Sequence, residues 1–166
     1  MLLLWQSFIN KQSDVMTTTD KPTPMQQALK MAQIAADSGE VPVGAVVVYD
    51  GEVIIKVANR MKALNDPTAH AEMLAIREAL SVVGTGRLAQ CDLYVTLEPC
   101  TMCAGAIAHA KLRRVYYGAD DPKGGAVENG VRFFNQPTCH HQPEVIAGLN
   151  EVESATLLQR FFLARR

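Results

Sequence analysis

Leu93-Tyr94-Val95-Thr96-Leu97-Glu98-Pro99-Cys100-Thr101-Met102-Cys103-Ala104-Gly105-Ala106-Ile107-Ala108-His109-Ala110 is the stretch that decides the fold. Leu93 to Leu97 is rich in β-branched and aromatic residues and reads as a strand. From about Cys100 to Ala110 the small apolar residues predict a helix, narrow at Ala104 and Gly105. Arg114-Val115-Tyr116-Tyr117-Gly118 then reads as another strand. Strands that alternate with helices are parallel neighbours joined by crossovers, which predicts a layered α/β sheet.

Upstream, Ala45-Val46-Val47-Val48-Tyr49 and Val53-Ile54-Ile55-Lys56-Val57-Ala58 flank Asp50-Gly51. A two-residue Asp-Gly turn between apolar runs predicts an antiparallel hairpin, so the sheet is mixed. Thr23-Pro24 predicts a helix start, Ala28, Leu29, Ala32, Ala35 and Ala36 recur at helical spacing, and Gly39 stops the run. A second helix is expected from about Ala69 to Leu80 with Thr68 as its N-cap, ended by Gly84 and Gly86. Downstream, Asp120 to Gly130 reads as a loop and Glu144 to Ala147 as a short fifth strand. Asn150 and Glu153 predict a capping box for a last helix running to Arg166. The expected architecture is a three-layer α/β fold, with a central mixed sheet of about five strands and helices on both faces.

The chain has 166 residues, enough for one domain with a real core. Its net charge of −1 gives no compositional sign of nucleic-acid binding, so any such surface must come from local clusters. Four cysteines could form a disulfide framework in a small secreted protein, but two lie in a C-x-x-C and Cys91 and Cys139 are isolated. A reducing, cytoplasmic setting is the better reading. Met1 to Trp5 is apolar but too short for a signal h-region or a membrane span. Met16 offers a second start, so residues 1–23 are expected to be an N-terminal extension and residues 24–166 the folded domain.

The chemistry concentrates in His70-Ala71-Glu72 and Pro99-Cys100-Thr101-Met102-Cys103. Cysteines three apart at a helix start point both sulfurs to one face, and the helix N-terminus favours the thiolate form. C-x-x-C alone fits a redox pair or zinc equally well. With His70 at the start of another helix, the set becomes one nitrogen and two sulfurs, the three ligands of a catalytic zinc with an open fourth position. Glu72 is left over. Helical glutamates usually face solvent, but Ala71, Met73, Leu74 and Ala75 are apolar, which predicts a buried carboxylate placed to move protons.

H-x-E followed by P-C-x-x-C is an already described signature of zinc nucleobase deaminases. Three further segments, Glu40-Val41-Pro42-Val43-Gly44-Ala45, Asn65-Asp66-Pro67-Thr68-Ala69-His70-Ala71-Glu72 and Val95-Thr96-Leu97-Glu98-Pro99-Cys100, make the chain resemble the bacterial tRNA adenosine deaminases of the cytidine-deaminase-like superfamily. Tyr117-Gly118-Ala119, Lys123-Gly124-Gly125-Ala126 and Phe161-Phe162 extend the resemblance from about Met25 to the end. It implies hydrolysis of adenosine to inosine at the wobble position (34) of a tRNA anticodon, by a zinc-activated water with Glu72 as proton shuttle. It also implies one Zn2+ per subunit on His70, Cys100 and Cys103, a homodimer, and a tRNA anticodon loop as partner, with no membrane.

By the same similarity Asn59, Val43 and the Ala71 backbone meet the flipped nucleoside, and Asp121 meets the preceding nucleotide. Asn59 reads equally as an end-of-strand turn residue. Lys111, Arg113, Arg114, Lys123, Arg165 and Arg166 are candidate RNA contacts, each also readable as a solvated basic fringe, and Arg132, Phe133 and Phe134 are a candidate stacking group. Asp121 has Asp120 beside it, so the register there is open by one residue. The alternative reading is a zinc deaminase of a free base or nucleoside such as guanine, cytosine or cytidine. A closed, non-enzymatic zinc module fits less well, because only three good ligands are visible.

Overall fold

The computed structural model describes residues 21–165. The expected extension falls almost wholly outside this range, as does Arg166 among the candidate RNA contacts. The elements run α1 (Pro24–Asp37), β1 (Gly44–Tyr49), β2 (Glu52–Ala58), α2 (Ala71–Val83), β3 (Cys91–Leu97), α3 (Thr101–Ala110), β4 (Arg114–Ala119), β5 (Glu144–Ile146) and α4 (Glu151–Leu163). A single 3-10 turn covers Phe133–Asn135. No helix among the described residues is long and apolar enough to cross a membrane.

The five strands form one sheet in the order β2-β1-β3-β4-β5. β1 is antiparallel to both neighbours, while β3, β4 and β5 are parallel. The Asp-Gly hairpin and the crossovers thus appear as expected. Helices α2 and α3 cover one face, where Val47, Leu93, Val95, Ile107, Val115 and Tyr117 share the larger core. Helices α1 and α4 cover the other, where Met25, Ala28, Val46 and Val48 are buried. The three layers predicted from the sequence are present.

Local chemistry explains where the helices begin. The Thr23 hydroxyl oxygen accepts from the Gln26 N–H (3.2 Å) and the Gln26 side-chain oxygen accepts from the Thr23 N–H (2.8 Å), a reciprocal cap followed by Pro24. Helix α1 then lies almost on β1. A methyl group on Gly44 would collide with the Ala28 carbonyl and lie 2.5 Å from the Ala32 nitrogen, so only glycine allows this approach.

Two predicted caps differ. Thr68 does not cap α2, because its N–H and hydroxyl both turn to the Asp66 carboxylate (2.8 and 2.7 Å). The helix begins instead after His70 and runs past Leu80 to Val83, where Gly84 takes the left-handed conformation. Asn150 does not form a capping box. It is itself left-handed (φ 56°), its amide donates to the Glu153 carboxylate (3.2 Å), and α4 ends at Leu163 rather than Arg166.

Because β1 runs against its neighbours, its N-terminal end lies at the same edge of the sheet as the C-terminal ends of β2, β3 and β4. The pairings Gly44 with Ala58 and Leu97 with Ala119 mark this edge. Open α/β sheets bind ligands beyond the carboxyl ends of their parallel strands. The opposite edge, about 20 Å away along a seven-residue strand, carries Asp92, Arg114 and Glu144 in register.

Candidate metal centre

At the first edge two helices begin side by side. His70 is the residue before α2 and Cys100 the residue before α3, both extended, neither using its side chain as a cap. Their side chains are therefore free to face each other, and Cys103 joins them from the first turn of α3. The His70 Nδ1 lies 3.5 Å from the Cys103 sulfur and 3.8 Å from the Cys100 sulfur. All three ligand atoms lie within 4.8 Å of one another. Tetrahedral zinc, with bonds of 2.0–2.3 Å, keeps its ligand atoms about 3.5–3.8 Å apart, so the set fits the ion in both spacing and donor type.

The three groups also share protons in the way a metal exploits. A hydrogen bond from the Cys103 thiol, helped by His70, draws Cys100 down to about 4 despite its burial. The same bond, with burial, pushes Cys103 up. The Cys100 contact raises His70. A divalent cation needs both sulfurs as thiolates and the imidazole neutral, so binding releases these protons.

Glu72 is 4 % exposed, as its apolar neighbours predicted. Burial pushes its carboxyl up to about 7, against the opposing pull of its own backbone amide and of His70. A carboxyl poised near neutrality beside an electrophilic centre can both take and give a proton.

The other candidate substrate-binding residues lie at this same edge of the sheet. Val43 and Asn59 close the hairpin mouth through the Asn59 N–H and the Val43 carbonyl (2.9 Å). Asn59 is buried, yet its side-chain amide makes no hydrogen bond among the described residues. Ala71 is fully buried at the start of α2. Asp121 stands just past β4, where its carboxylate accepts from the Lys123 and Gly124 N–H groups (3.1 and 3.0 Å) and braces its own loop. That loop lines a cleft of about 1150 Å³ on the α4 side of the same strand ends, together with Leu97, Phe162, Lys123 and Arg165. None of the three candidate metal ligands lines this cleft. The Arg165 guanidinium lies 3.5 Å over the Phe161 ring.

Other basic candidates lie elsewhere. Lys111 is at the far end of α3 from Cys100. Arg113 makes a two-pronged bond to buried Asp92 (2.8 Å for each contact), and Arg114 pairs with Glu144, both at the opposite edge of the sheet. Phe134 is core and Phe133 packs against that core, so this pair is not an open stacking platform. The His141 ring contacts the Leu112 carbonyl (2.6 Å), away from the metal ligands.

One residue escaped the sequence reading. Glu98, between Leu97 and Pro99, is 2 % exposed and accepts five hydrogen bonds from the loop beyond β4. Its signal was a lone acid at the end of an apolar strand, next to the metal-binding cysteines.

Comparison with known proteins agrees with this geometry. Residues 18–119 match the family model described as the cytidine and deoxycytidylate deaminase zinc-binding region. A tRNA-specific adenosine deaminase of Agrobacterium fabrum is 60 % identical over 142 residues, covering 86 % of this chain and 93 % of that one. A structure solved in a study of A-to-I editing by tRNA:A34 deaminases at the wobble position is 61 % identical, with a TM-score of 0.80 over 81 % of this chain and 98 % of the other. A guanine deaminase from Nitrosomonas europaea shares the fold, at 21 % identity and a TM-score of 0.72 over 83 % of this chain and 82 % of that chain.

Proposed function

The chain belongs to the cytidine and deoxycytidylate deaminase zinc-binding family, and from that premise we propose that it hydrolyses adenosine to inosine at position 34, the wobble position of a tRNA anticodon. The observation that carries the chemistry is the buried Glu72 set beside a three-ligand cluster of His70, Cys100 and Cys103. The RNA substrate is supported by the extent of identity to tRNA-specific relatives.

His70, Cys100 and Cys103 hold the zinc ion. When bound, zinc is a Lewis acid that brings the pKa of a water to about 7. Glu72 takes one proton from the attacking water and passes it to the adenine ring nitrogen N1, then takes the remaining proton of the new C6 hydroxyl and gives it to the amino group, so that C6 keeps a carbonyl and the amine leaves as ammonia. Its carboxyl, held at about 7, is matched to both directions of transfer. Val43 and the Ala71 backbone line the base pocket, and the unpaired Asn59 amide offers hydrogen bonds to the nucleoside. An anticodon base is already unpaired, so drawing it into this site costs little.

Asp121 orders the loop that receives the preceding nucleotide, with Lys123 and Arg165 on the phosphate path. Lys111 and Arg113, at the other edge, can reach only RNA beyond the target nucleotide. Residues 24–166 form the deaminase domain, residues 1–23 are an extension, and the protein works as a cytoplasmic homodimer. The deciding assay offers the zinc-loaded protein an anticodon stem-loop with adenosine at position 34 beside guanine, cytosine and cytidine. Inosine in the RNA with inert small substrates is the expected result. Turnover of a free base or nucleoside with inert RNA reverses the reading.

A further inference from the structure

Glu98 takes no part in the reaction just described, yet its carboxylate is among the most completely hydrogen-bonded groups of the site region. Oε1 accepts from the backbone N–H groups of Val127, Glu128 and Asn129 (3.0, 2.9 and 2.9 Å). Oε2 accepts from the Asp121 N–H (3.0 Å) and the Asn129 side-chain amide (2.6 Å). Successive amides converging on one oxygen form an anion-binding nest, here filled by the chain's own carboxylate.

All five partners are donors. Only an ionised carboxylate accepts from every one of them, since a carboxamide must turn its NH2 toward a donor. The donors come from both ends of the segment 121–129, so the loop is closed around this one group. The segment is also fastened to the metal-binding turn, through the Ala126 N–H on the Pro99 carbonyl (2.9 Å) and an antiparallel bridge between Cys100 and Gly125. Gly125 has to be glycine, because a Cβ there would lie 2.5 Å from the Glu98 carboxyl carbon. A buried charge is a poor source of net stability compared with an apolar side chain of similar volume. Its specific effect is to fix position.

We infer that Glu98 is a positioning residue that sets the Asp121–Gly124 loop at a fixed height against the metal-binding turn, so that the nucleotide beside the target adenosine meets a preformed surface. The inference rests on the RNA deaminase reading.

The test compares wild type with E98Q, N129A, N129D and the E98Q/N129D pair on the anticodon stem-loop. E98Q is expected to raise KM about tenfold, the effect of one lost hydrogen bond to a charged group, with kcat and zinc content little changed. N129D sets two carboxylates face to face and also raises KM. In the double variant the new carboxamide just past β3 can donate to the new carboxylate on the loop, so KM falls below that of either single change. If E98Q does not fold, N129A, which removes one bond and keeps the carboxylate, is expected to raise KM about threefold by the same reasoning. Variants that lose thermal stability while KM stays at the wild-type value overturn the inference, because a merely structural role predicts that pattern. A wild-type protein inert toward the stem-loop removes the functional reading and the inference together. An active wild type with unmoved KM in the variants removes the inference alone.

Discussion

Two acids sit at the same edge of the sheet, and their surroundings drive them in opposite directions. Glu72 is buried so fully that the bonds it accepts do not offset the loss of water, and its carboxyl rises to about 7. Replacing it with alanine or glutamine should lower inosine formation by about 10²–10⁴-fold, the usual contribution of a positioned acid/base group, with one zinc per chain still found by metal analysis. Glu98 is buried among donors and is held below its ordinary value of 4.5. A depressed folded-state value means that the unfolded chain binds protons first as pH falls. The stability Glu98 contributes is therefore complete above pH 4.5 and is lost as pH falls through its folded value. Thermal melts taken at successively lower pH below 4.5 should show a fall in wild type that is shallower in E98Q. His70, Glu72, Cys100 and Cys103 were legible in the sequence because metal and proton chemistry demands those side chains at those spacings. Glu98 was not, because its partners are mostly backbone amides 23 to 31 positions later, and backbone direction leaves little trace in residue type.

Among the elements, the hairpin, the crossovers and α1 could be read directly, since turn chemistry, periodicity and a proline-led cap all agreed there. Caps failed where a nearer partner competed. Thr68 was taken by Asp66, and Asn150 gave its side chain to Glu153. The approach of α1 to β1 was equally invisible, although Gly44 was in view, because glycine alone does not say what lies above it. Gly44→Ala should cost about 2–4 kcal/mol in urea unfolding, since the obstructing atoms are helix backbone that can yield only if α1 shifts as a body.

For the whole molecule, the three-layer arrangement followed from sequence, but the placement of charge did not. Spacing along a chain does not say which end of a sheet a basic residue occupies, so Lys111 and Arg113 looked equivalent to Lys123. The fold separates them by the length of the sheet. Lys123→Ala should weaken stem-loop binding and lower the slope of log affinity against log salt by about 0.7, the value for one phosphate contact on single-stranded RNA. Arg113→Ala should leave that slope unchanged and lower the melting temperature, because it strands the buried Asp92 carboxylate. The metal ligands have a consequence of their own at this scale. His70 and Cys100 are 30 residues apart and precede different helices, so one ion ties two crossover units into a single cross-link. Resistance to unfolding should then rise with the logarithm of free zinc, by about 1.4 kcal/mol for each tenfold increase above the dissociation constant. His70→Ala should abolish that dependence in chelator-buffered melts. A cell short of zinc would lose the protein itself to degradation, and tRNA editing would track metal supply through enzyme abundance as well as through turnover.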